Sequence, residues 1–455
     1  MAFFRKDESL DALADTYNVA QFVSFAPVAG DPEQQYSRVK GYNANHSFGS
    51  LEFAIEALLS ACNSGTINIR SYNAEEMQSR EFLYGLSDVE VIKGHVMRHI
   101  QEDAFVILNE TIDVSDGGVS GVVMGDVVEF RPDATPRGVE KPGFASLPRK
   151  IAEQLLQAVY GFDVKFPDLG ASRVEFSVHP IRRGWKNSHL IFWEYEKLAE
   201  VQAVPSSITW PNDFSRLLGD KVYGLLIGWF VGAKVPLTQV FSRRVAPFTF
   251  GAPTSTGEVW MRTCPTEQVP GKYSTTFGWS DPYKVMSLED PDHKAIASVI
   301  SQHSVDAVWS GAAMEDANGE LLVEGVRGFG DGFMQGVDLP QDLPAEVIAL
   351  VSELKNFLRQ ALGAVRFEWA FDGSEVWLLQ LHTGRSVSTS SVIVPGDASR
   401  WFAFDITLGL EELRLFIEKL DVDAGITFTG HVGTTSHMAD VVRKAGIPTR
   451  IMNES

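Results

Sequence analysis

The sequence predicts a multidomain protein of mixed α+β and α/β class. Three observations carry this. The chain has 455 residues, enough for two to four domains that each bury a core. Short alternating or apolar runs of strand type recur between stretches of helical spacing along the whole chain. Near the C-terminus a strand pattern, Ile426-Thr427-Phe428-Thr429, runs through a glycine-rich turn into a helix-spaced run. That run keeps Met438, Val441, Val442 and Ala445 on one face.

Taken in order, residues 51–61 have helical spacing, with Leu51, Ala54, Ile55 and Leu58 on one face. Residues 67–71 read as a strand, 89–100 as a helix and 105–108 as a buried strand. Gly117, Gly118 and Gly121 bracket a turn ahead of a strand at 127–130, and Pro132, Pro136 and Pro142 mark a loop. Residues 151–159 are helical, and 173–178 with 190–195 form a strand pair. Two prolines and two serines between Ala203 and Pro211 set the first domain boundary. Residues 216–230 read as one helix, stopped by Gly232, with a strand starting at Val235-Pro236.

The net charge of −20 argues against a nucleic-acid or anionic-membrane surface, because binding phosphate arrays needs a positive field. Two cysteines, Cys62 and Cys264, lie far apart and point to a reducing compartment. The start lacks an apolar signal region and no apolar run reaches membrane-spanning length, so a soluble cytoplasmic protein is expected.

Chemistry concentrates in Gly430-His431-Val432-Gly433-Thr434-Thr435-Ser436-His437-Met438-Ala439 and its continuation to Gly446-Ile447-Pro448. Ser436 is placed to cap the helix, Gly446 to end it, and Pro448 to forbid continuation. His437 then sits at a helix N-terminus, where free N–H groups favour an anion and can stabilise a phosphorylated imidazole. This stretch resembles the phosphohistidine motif of the phosphoenolpyruvate synthase and pyruvate phosphate dikinase family, a Thr-Ser-His-x-Ala core leading to Gly-Ile-Pro.

The resemblance extends over residues 206–455. Gly219-Asp220-Lys221 resembles the opening Gly-Gly-Lys of the family's ATP-grasp domain. Arg262-Thr263-Cys264-Pro265 through Glu267 and Pro270-Gly271 resembles its Arg-Ser-Ser-Ala-x-x-Glu-Asp-x-Pro-Gly segment. Gln302, Ser310-Gly311, the glycines around Phe329, Arg366-Phe367-Glu368-Trp369 and Leu378-Leu379-Gln380 follow in the family's order. The resemblance implies an ATP-grasp fold with a small C-terminal α/β phosphohistidine-like domain. It implies domains at 1–205, 206–390 and 391–455, with a swivel linker around 385–400.

The resemblance further implies that Lys221 and Arg262 meet the triphosphate, Glu267 orients Arg262 or a ribose, and Gln302 lies near the adenine. Glu368 and Gln380 are implied as Mg²⁺ ligands, with Arg262 and His437 catalytic. The implied activity is an ATP-dependent, dikinase-like phosphotransferase that passes a phosphoryl group through His437 to a small-molecule acceptor. Antibiotic-modifying phosphotransferases and water dikinases are looser members of that class. A homo-oligomer or a partner protein is compatible with it, and nucleic acid and membrane are not expected partners. Two alternatives stay open: a nucleotide-binding regulatory protein with degenerate catalysis, and an ATP-grasp carboxylate–amine ligase. Three departures bear on this: Cys264 replaces a serine, His382 stands where an arginine is usual, and no enolpyruvate-binding barrel follows. The chain is therefore not expected to make phosphoenolpyruvate by itself.

The two halves also align. Ile69-Arg70-Ser71 through Glu75 matches Met261-Arg262-Thr263 through Glu267, and Ser120-Gly121 matches Ser310-Gly311. Arg173-Val174-Glu175-Phe176 matches Arg366-Phe367-Glu368-Trp369, and Glu194 matches Gln380. The N-terminal half is read as a degenerate ATP-grasp-like repeat without a counterpart of Lys221. Two further clusters stand out: Asp113, Asp116 and Glu129, which read as solvated turn carboxylates before a cation site, and His179, Arg182, Arg183 and His189, which read as a hairpin surface before an anion or acceptor site.

Overall fold

A computed structural model describes residues 5–73, 79–136, 143–198, 206, 208–267, 272–316, 319–335, 337–384, 392–430 and 432–452. The chain divides into two compact units: residues 1–153 with 162–207, and residues 154–161 with 208–455. The first half begins with α1 (Lys6–Thr16), β1 (Phe22–Val28), β2 (Asp31–Arg38), α2 (Leu51–Ala61), β3 (Ile67–Tyr72) and β4 (Ser79–Leu86). It continues with α3 (Val89–Gln101), β5 (Phe105–Glu110), β6 (Val119–Met124), β7 (Val127–Pro132), β8 (Ala145–Pro148), α4 (Arg149–Tyr160), β9 (Ser172–Arg183) and β10 (Ser188–Lys197).

The second half opens with α5 (Asp213–Leu218), α6 (Asp220–Val231), β11 (Thr238–Ser242), β12 (Phe248–Phe250), β13 (Val259–Pro265), β14 (Thr275–Phe277) and α7 (Pro282–Glu289). Then come β15 (Ile296–His303), β16 (Trp309–Glu315), β17 (Leu321–Arg327), α8 (Asp331–Gln335), α9 (Ala345–Leu362), β18 (Val365–Phe371) and β19 (Val376–Thr383). It closes with β20 (Val392–Val394), β21 (Arg400–Asp405), α10 (Gly409–Glu418), β22 (Ala424–Thr429), α11 (His437–Ala445) and β23 (Thr449–Ile451).

The class is mixed α+β with several antiparallel sheets, as expected. The first unit holds sheets of order β2-β1-β5-β3-β4 and β10-β9-β6-β7-β8. The second holds β12-β11-β15-β13-β14 and β17-β16-β18-β19, all antiparallel. Replacing each of β1 to β5 by its match in β11 to β15 turns one five-stranded order into the other. The four strands β10-β9-β6-β7 correspond likewise to β19-β18-β16-β17. The repeat seen in the sequence is therefore a repeat of topology.

Its register agrees residue by residue. Arg70 pairs with Ile107 as Arg262 pairs with Ile300, and Glu175 faces Glu194 as Glu368 faces Gln380. Gly121 and Gly311 fill the same niche: a Cβ on either would strike a carbonyl oxygen of the adjacent strand, at Glu129 and at Glu324. Bare glycine is what lets the strands close there.

One expected helix is two. The run at 216–230 breaks at Gly219, whose φ of +90° suits only glycine, giving α5 and α6. A Cβ on Gly219 would lie 2.6 Å from the Cβ of Cys264. The glycine thus allows the start of α6, with Lys221, to press against β13, which carries Arg262. The residues ahead of β11 bridge Pro236 to Ala252, and the regular strand begins only at Thr238.

The last segment makes its own sheet, β20-β23-β22-β21, in which β21, β22 and β23 run parallel. Its core joins Phe404, Leu413, Ile426, Phe428, Met438 and Val442. α11 follows β22 directly, so His437 lies at the carboxyl end of a parallel strand, where α/β sheets present binding groups. The linker expected at 385–400 falls partly outside the described residues. Among the described residues, no helix is long and apolar enough to cross a membrane.

Candidate active site

A cavity of about 620 Å³ opens in the second unit. Its walls come from both antiparallel sheets. Trp260 and Arg262 on β13 and Gln302 on β15 form one side, and Gly311 on β16, Glu368 on β18 and Gln380 on β19 form the other. Lys221 enters from α6, Phe329 from the loop before α8, and His437 from α11. Two antiparallel sheets thus close on one cavity. Lys221, Arg262, Gln302, Glu368, Gln380 and His437, chosen from sequence alone, all line it.

The polar groups are poised for a ligand. Arg262 Nη1 lies 3.6 Å from Glu368 Oε2, while its Nε is buried with no hydrogen-bond partner among the described residues. Lys221 makes no ion pair among the described residues, and burial lowers its pKa despite nearby Glu368 and Glu289. Gln380 Nε2 lies 2.7 Å from His382 Nε2. An amide nitrogen can only donate, so that histidine nitrogen accepts, and the Gln380 oxygen is left for another contact. Gln302 Nε2 donates to Thr238 Oγ1 at 3.3 Å. Two aromatic rings that no sequence signal marked, Trp260 and Phe329, also line the cavity: Trp260 lies 5.9 Å from Phe329 and 5.0 Å from Phe277 behind them.

The histidine turn forms as its caps dictate. Ser436 accepts from Ala439 N–H, and Gly446 ends α11 at φ +67°. Glu324 on β17, which sequence reasoning passed over, anchors the turn. Its carboxylate accepts from the backbone N–H groups of Thr434 and Thr435 at 3.1 and 2.8 Å, and from their hydroxyls at 3.0 and 2.6 Å. A Cβ on Gly433 would sit 2.9 Å from the Phe333 ring and 3.2 Å from Glu324 Oε2, so this approach requires glycine. Burial outweighs the Glu368 and Asp440 carboxylates and holds the His437 pKa below the usual imidazole range. Its Nδ1 is buried without a hydrogen-bond partner among the described residues.

Glu324→Ala strips four hydrogen bonds from two buried threonines. The expected cost is at least about 2 kcal/mol of local stability, because buried donors are left unsatisfied. Hydrogen exchange should rise in β22 and α11 but not in β11 or β15. Unchanged exchange would show that Glu324 does not anchor the turn.

His382, the departure from the arginine pattern, faces Arg366 directly across β18 and β19. Arg366, however, lines a separate cleft and not the main cavity. Arg366 pairs with Asp440 of α11. Burial and the adjacent Arg366 cation push the His382 pKa down to about 3 from an unfolded value near 6.5. The folded histidine stays neutral while the unfolded one takes up a proton. Its stabilisation is therefore present above pH 6.5 and lost as pH falls through that value towards 3. Between pH 6.5 and about 5 the loss attributable to His382 is up to about 2 kcal/mol. Denaturant melts of wild type and His382→Gln should converge as pH falls, and parallel curves would remove His382 as the source.

Other expectations need correction. Glu267 is exposed and lies in a separate cleft, so it neither orients Arg262 nor faces the main cavity. Cys264 is buried beside Ser298 and points to neither. The basic cluster is no open anion site. His179 Nδ1 bonds Asp116 at 2.7 Å and its Nε2 bonds Ser177 Oγ at 2.8 Å, Arg183 lies 3.6 Å from Asp116, and the His189 ring stacks on Phe162. That same pairing absorbs Asp116, and among the described residues no group of three or more His, Cys, Asp or Glu could hold a metal. Glu75, Gly271 and His431 lie outside the described residues.

A counterpart of Lys221 does exist. α1 packs on β10 as α6 packs on β19, and Lys6, at its start, bonds Glu194 at 2.6 Å. Sequence spacing hid it because α2 is inserted between Lys6 and Arg70. Arg70 also pairs with Glu194, and Arg173 with Glu175 at 2.8 Å. With Glu194 where the other copy has Gln380, the N-terminal cations are neutralised internally, and Lys6 and Arg70 are buried.

No family model matches the chain, and no curated protein matches it by sequence. Solved structures that match include VanG D-Ala:D-Ser ligase from Enterococcus faecalis, at 16% identity over 37% of this chain and 52% of that one, TM-score 0.26. The L-amino acid ligase from Bacillus licheniformis matches at 12% identity over 36% of this chain and 40% of that one, TM-score 0.24. D-cycloserine synthetase DcsG matches at 18% identity over 43% of this chain and 62% of that one, TM-score 0.24. The chain thus spans less than two thirds of the length of each.

These are ligases and a synthetase by name, not phosphoenolpyruvate synthases or dikinases, and no family model supports that membership. The family assignment read from the motifs is overturned.

Proposed function

We propose that the second unit is the catalytic unit of an ATP-dependent enzyme, and that it moves a phosphoryl group from ATP within its cavity. One observation carries this: a single cavity joins two phosphate-type cations, a carboxylate–amide pair and a neutral histidine at a helix N-terminus. Its volume suits a nucleotide-sized ligand. Lys221 and Arg262 neutralise the phosphates, Arg262 in the bidentate manner of a guanidinium. Trp260, Phe277 and Phe329 offer the base a stacking surface.

Glu368 and the free oxygen of Gln380 fit Mg²⁺, which takes few protein oxygens when phosphates supply the rest. Bound there, the ion would offset charge on the transferred group. The first acceptor is His437. The lone pair of its neutral imidazole forms the P–N bond as the P–O bond to the nucleotide breaks, and the leaving phosphate oxygen carries off the charge. The N-terminal N–H groups of α11 favour the bound phosphoryl oxygens.

The second reading keeps the nucleotide site and changes the acceptor to a substrate carboxylate, later displaced by an amine, as the ligase names above suggest. His437 would then only close the cavity. Incubation of purified protein with γ- and β-labelled ATP and Mg²⁺ separates the two. An acid-labile, base-stable adduct supports His437 as acceptor. ADP release that rises with added amino acids, with no adduct, supports the ligase. The closed N-terminal copy is expected to add no second nucleotide.

A further inference from the structure

Three neighbouring strands of the second unit set one row of side chains beside the main cavity. Gln302 on β15 stands directly opposite Thr238 on β11 and directly opposite Trp260 on β13. Residues paired in this way share one face of a sheet. Gln302 and Trp260 line the cavity, and Thr238 lies behind Gln302 without lining it. Thr238 and Gln302 are both buried, so their polar atoms must be matched within the protein or by a ligand. The Trp260 indole is fixed as well. Its Nε1 donates to Ser304 Oγ at 3.2 Å, and its ring lies 5.9 Å from that of Phe329.

A proton count fixes which way the Gln302 amide points. Thr238 Oγ1 donates its only proton to the Pro236 carbonyl, 2.7 Å away. Towards Gln302, at 3.3 Å, the same oxygen can therefore only accept. The amide nitrogen is the end held against β11, because the flipped amide would set two acceptors together. Oε1 is the end left to the cavity, and among the described residues Gln302 makes no other side-chain hydrogen bond. A fixed acceptor beside an aromatic ring is suited to reading the edge of a stacked base. Adenine presents an amino donor at C6, where guanine presents a carbonyl acceptor.

We propose that this row makes the cavity selective for a 6-aminopurine nucleotide: Gln302 Oε1 accepts from the amino group of adenine, and Thr238 holds the amide in the orientation that allows it. The proposal rests on the nucleotide reading of the cavity. With adenine, the free amide oxygen gains a donor. With guanine, two acceptors meet in a buried place and neither is satisfied. Thr238 acts through Gln302 and is a positioning residue. Nothing in the sequence marked it, because the two residues are 64 positions apart and meet only through strand register.

Titration calorimetry of the full chain with ATP, GTP and ITP, each with Mg²⁺, tests it. ITP carries a carbonyl at C6, as GTP does, but no 2-amino group, so it isolates the position that Gln302 reads. Wild type is expected to bind ATP at least about tenfold more tightly than either, because the other two leave a buried acceptor without a donor. Thr238→Val removes the hydroxyl, frees the amide to turn, and should bring the three affinities within about threefold of one another. Thr238→Ser keeps the hydroxyl and should keep the preference, which a merely structural role of Thr238 would not explain. Gln302→Leu tests the acceptor without touching Thr238 and should lower ATP affinity to that of GTP. ITP bound as tightly as ATP, or a preference that survives Thr238→Val or Gln302→Leu, overturns the proposal and leaves the nucleotide reading standing. Wild type that binds none of the three overturns both.

Discussion

Replacing His437 by alanine is expected to abolish covalent labelling from ATP and to reduce turnover at least about a thousand-fold. Removing a nucleophile eliminates the step and does not merely weaken it. The imidazole lines the cavity opposite Arg262 and Glu368, and burial keeps it neutral, the form whose lone pair attacks. Because its pKa is held below the ordinary value of 6.5, labelling of wild type should persist at pH values where an exposed histidine would be protonated. His431→Ala is the control and should label as wild type does. His437→Gln, which preserves volume, should be as inactive as alanine and should fold as wild type. Undiminished ADP release by both variants would move the function to the ligase reading.

Arg262→Ala is expected to weaken ATP binding by about 10- to 150-fold, the equivalent of roughly 1.5–3 kcal/mol for a charge-assisted contact. Its guanidinium lines the cavity, 3.6 Å from Glu368, and its buried Nε has no hydrogen-bond partner among the described residues. A ligand oxygen would satisfy that group. Arg262→Lys should recover only part of the affinity, since an ammonium cannot bind two oxygens in one plane. Lys221→Ala should give a comparable loss, and the matching Lys6→Ala in the N-terminal unit should leave ATP affinity unchanged. Calorimetric affinities that are equal in Arg262→Ala and wild type would remove the nucleotide from this cavity.

Local signals were legible because their physics is local. Ser436, the apolar face of α11 and Gly446 specify a capped helix within ten residues of chain, and the helix forms there. Lys221, Arg262, Gln302, Glu368, Gln380 and His437, singled out by the motif resemblance, line one cavity, because short polar runs on successive strands and a helix start are brought to the same space by the two sheets. The internal repeat was visible as matched runs, and strand order and register bear it out, including the facing pairs Glu175/Glu194 and Glu368/Gln380.

What the sequence by itself determined is therefore the helices and strands with clear periodicity, the capped histidine and the residue types carried along them. Only the tertiary structure decided which of those side chains meet. Glu324 receives Thr434 and Thr435 across more than a hundred residues of chain, and no pattern near either marks the pair. Lys6 reaches Glu194 through the packing of α1 on β10, while Glu267, five residues beyond Arg262, turns into another cleft. Gly219 splits a helix because β13 presses against it, a steric demand that its own neighbours in sequence do not state. Caps and periodicity act within a few residues, whereas ion pairs and close approaches are set by sheet register and by which face of a helix is covered. That is why the same Lys–Arg–Glu constellation is open in one half of the chain and closed in the other.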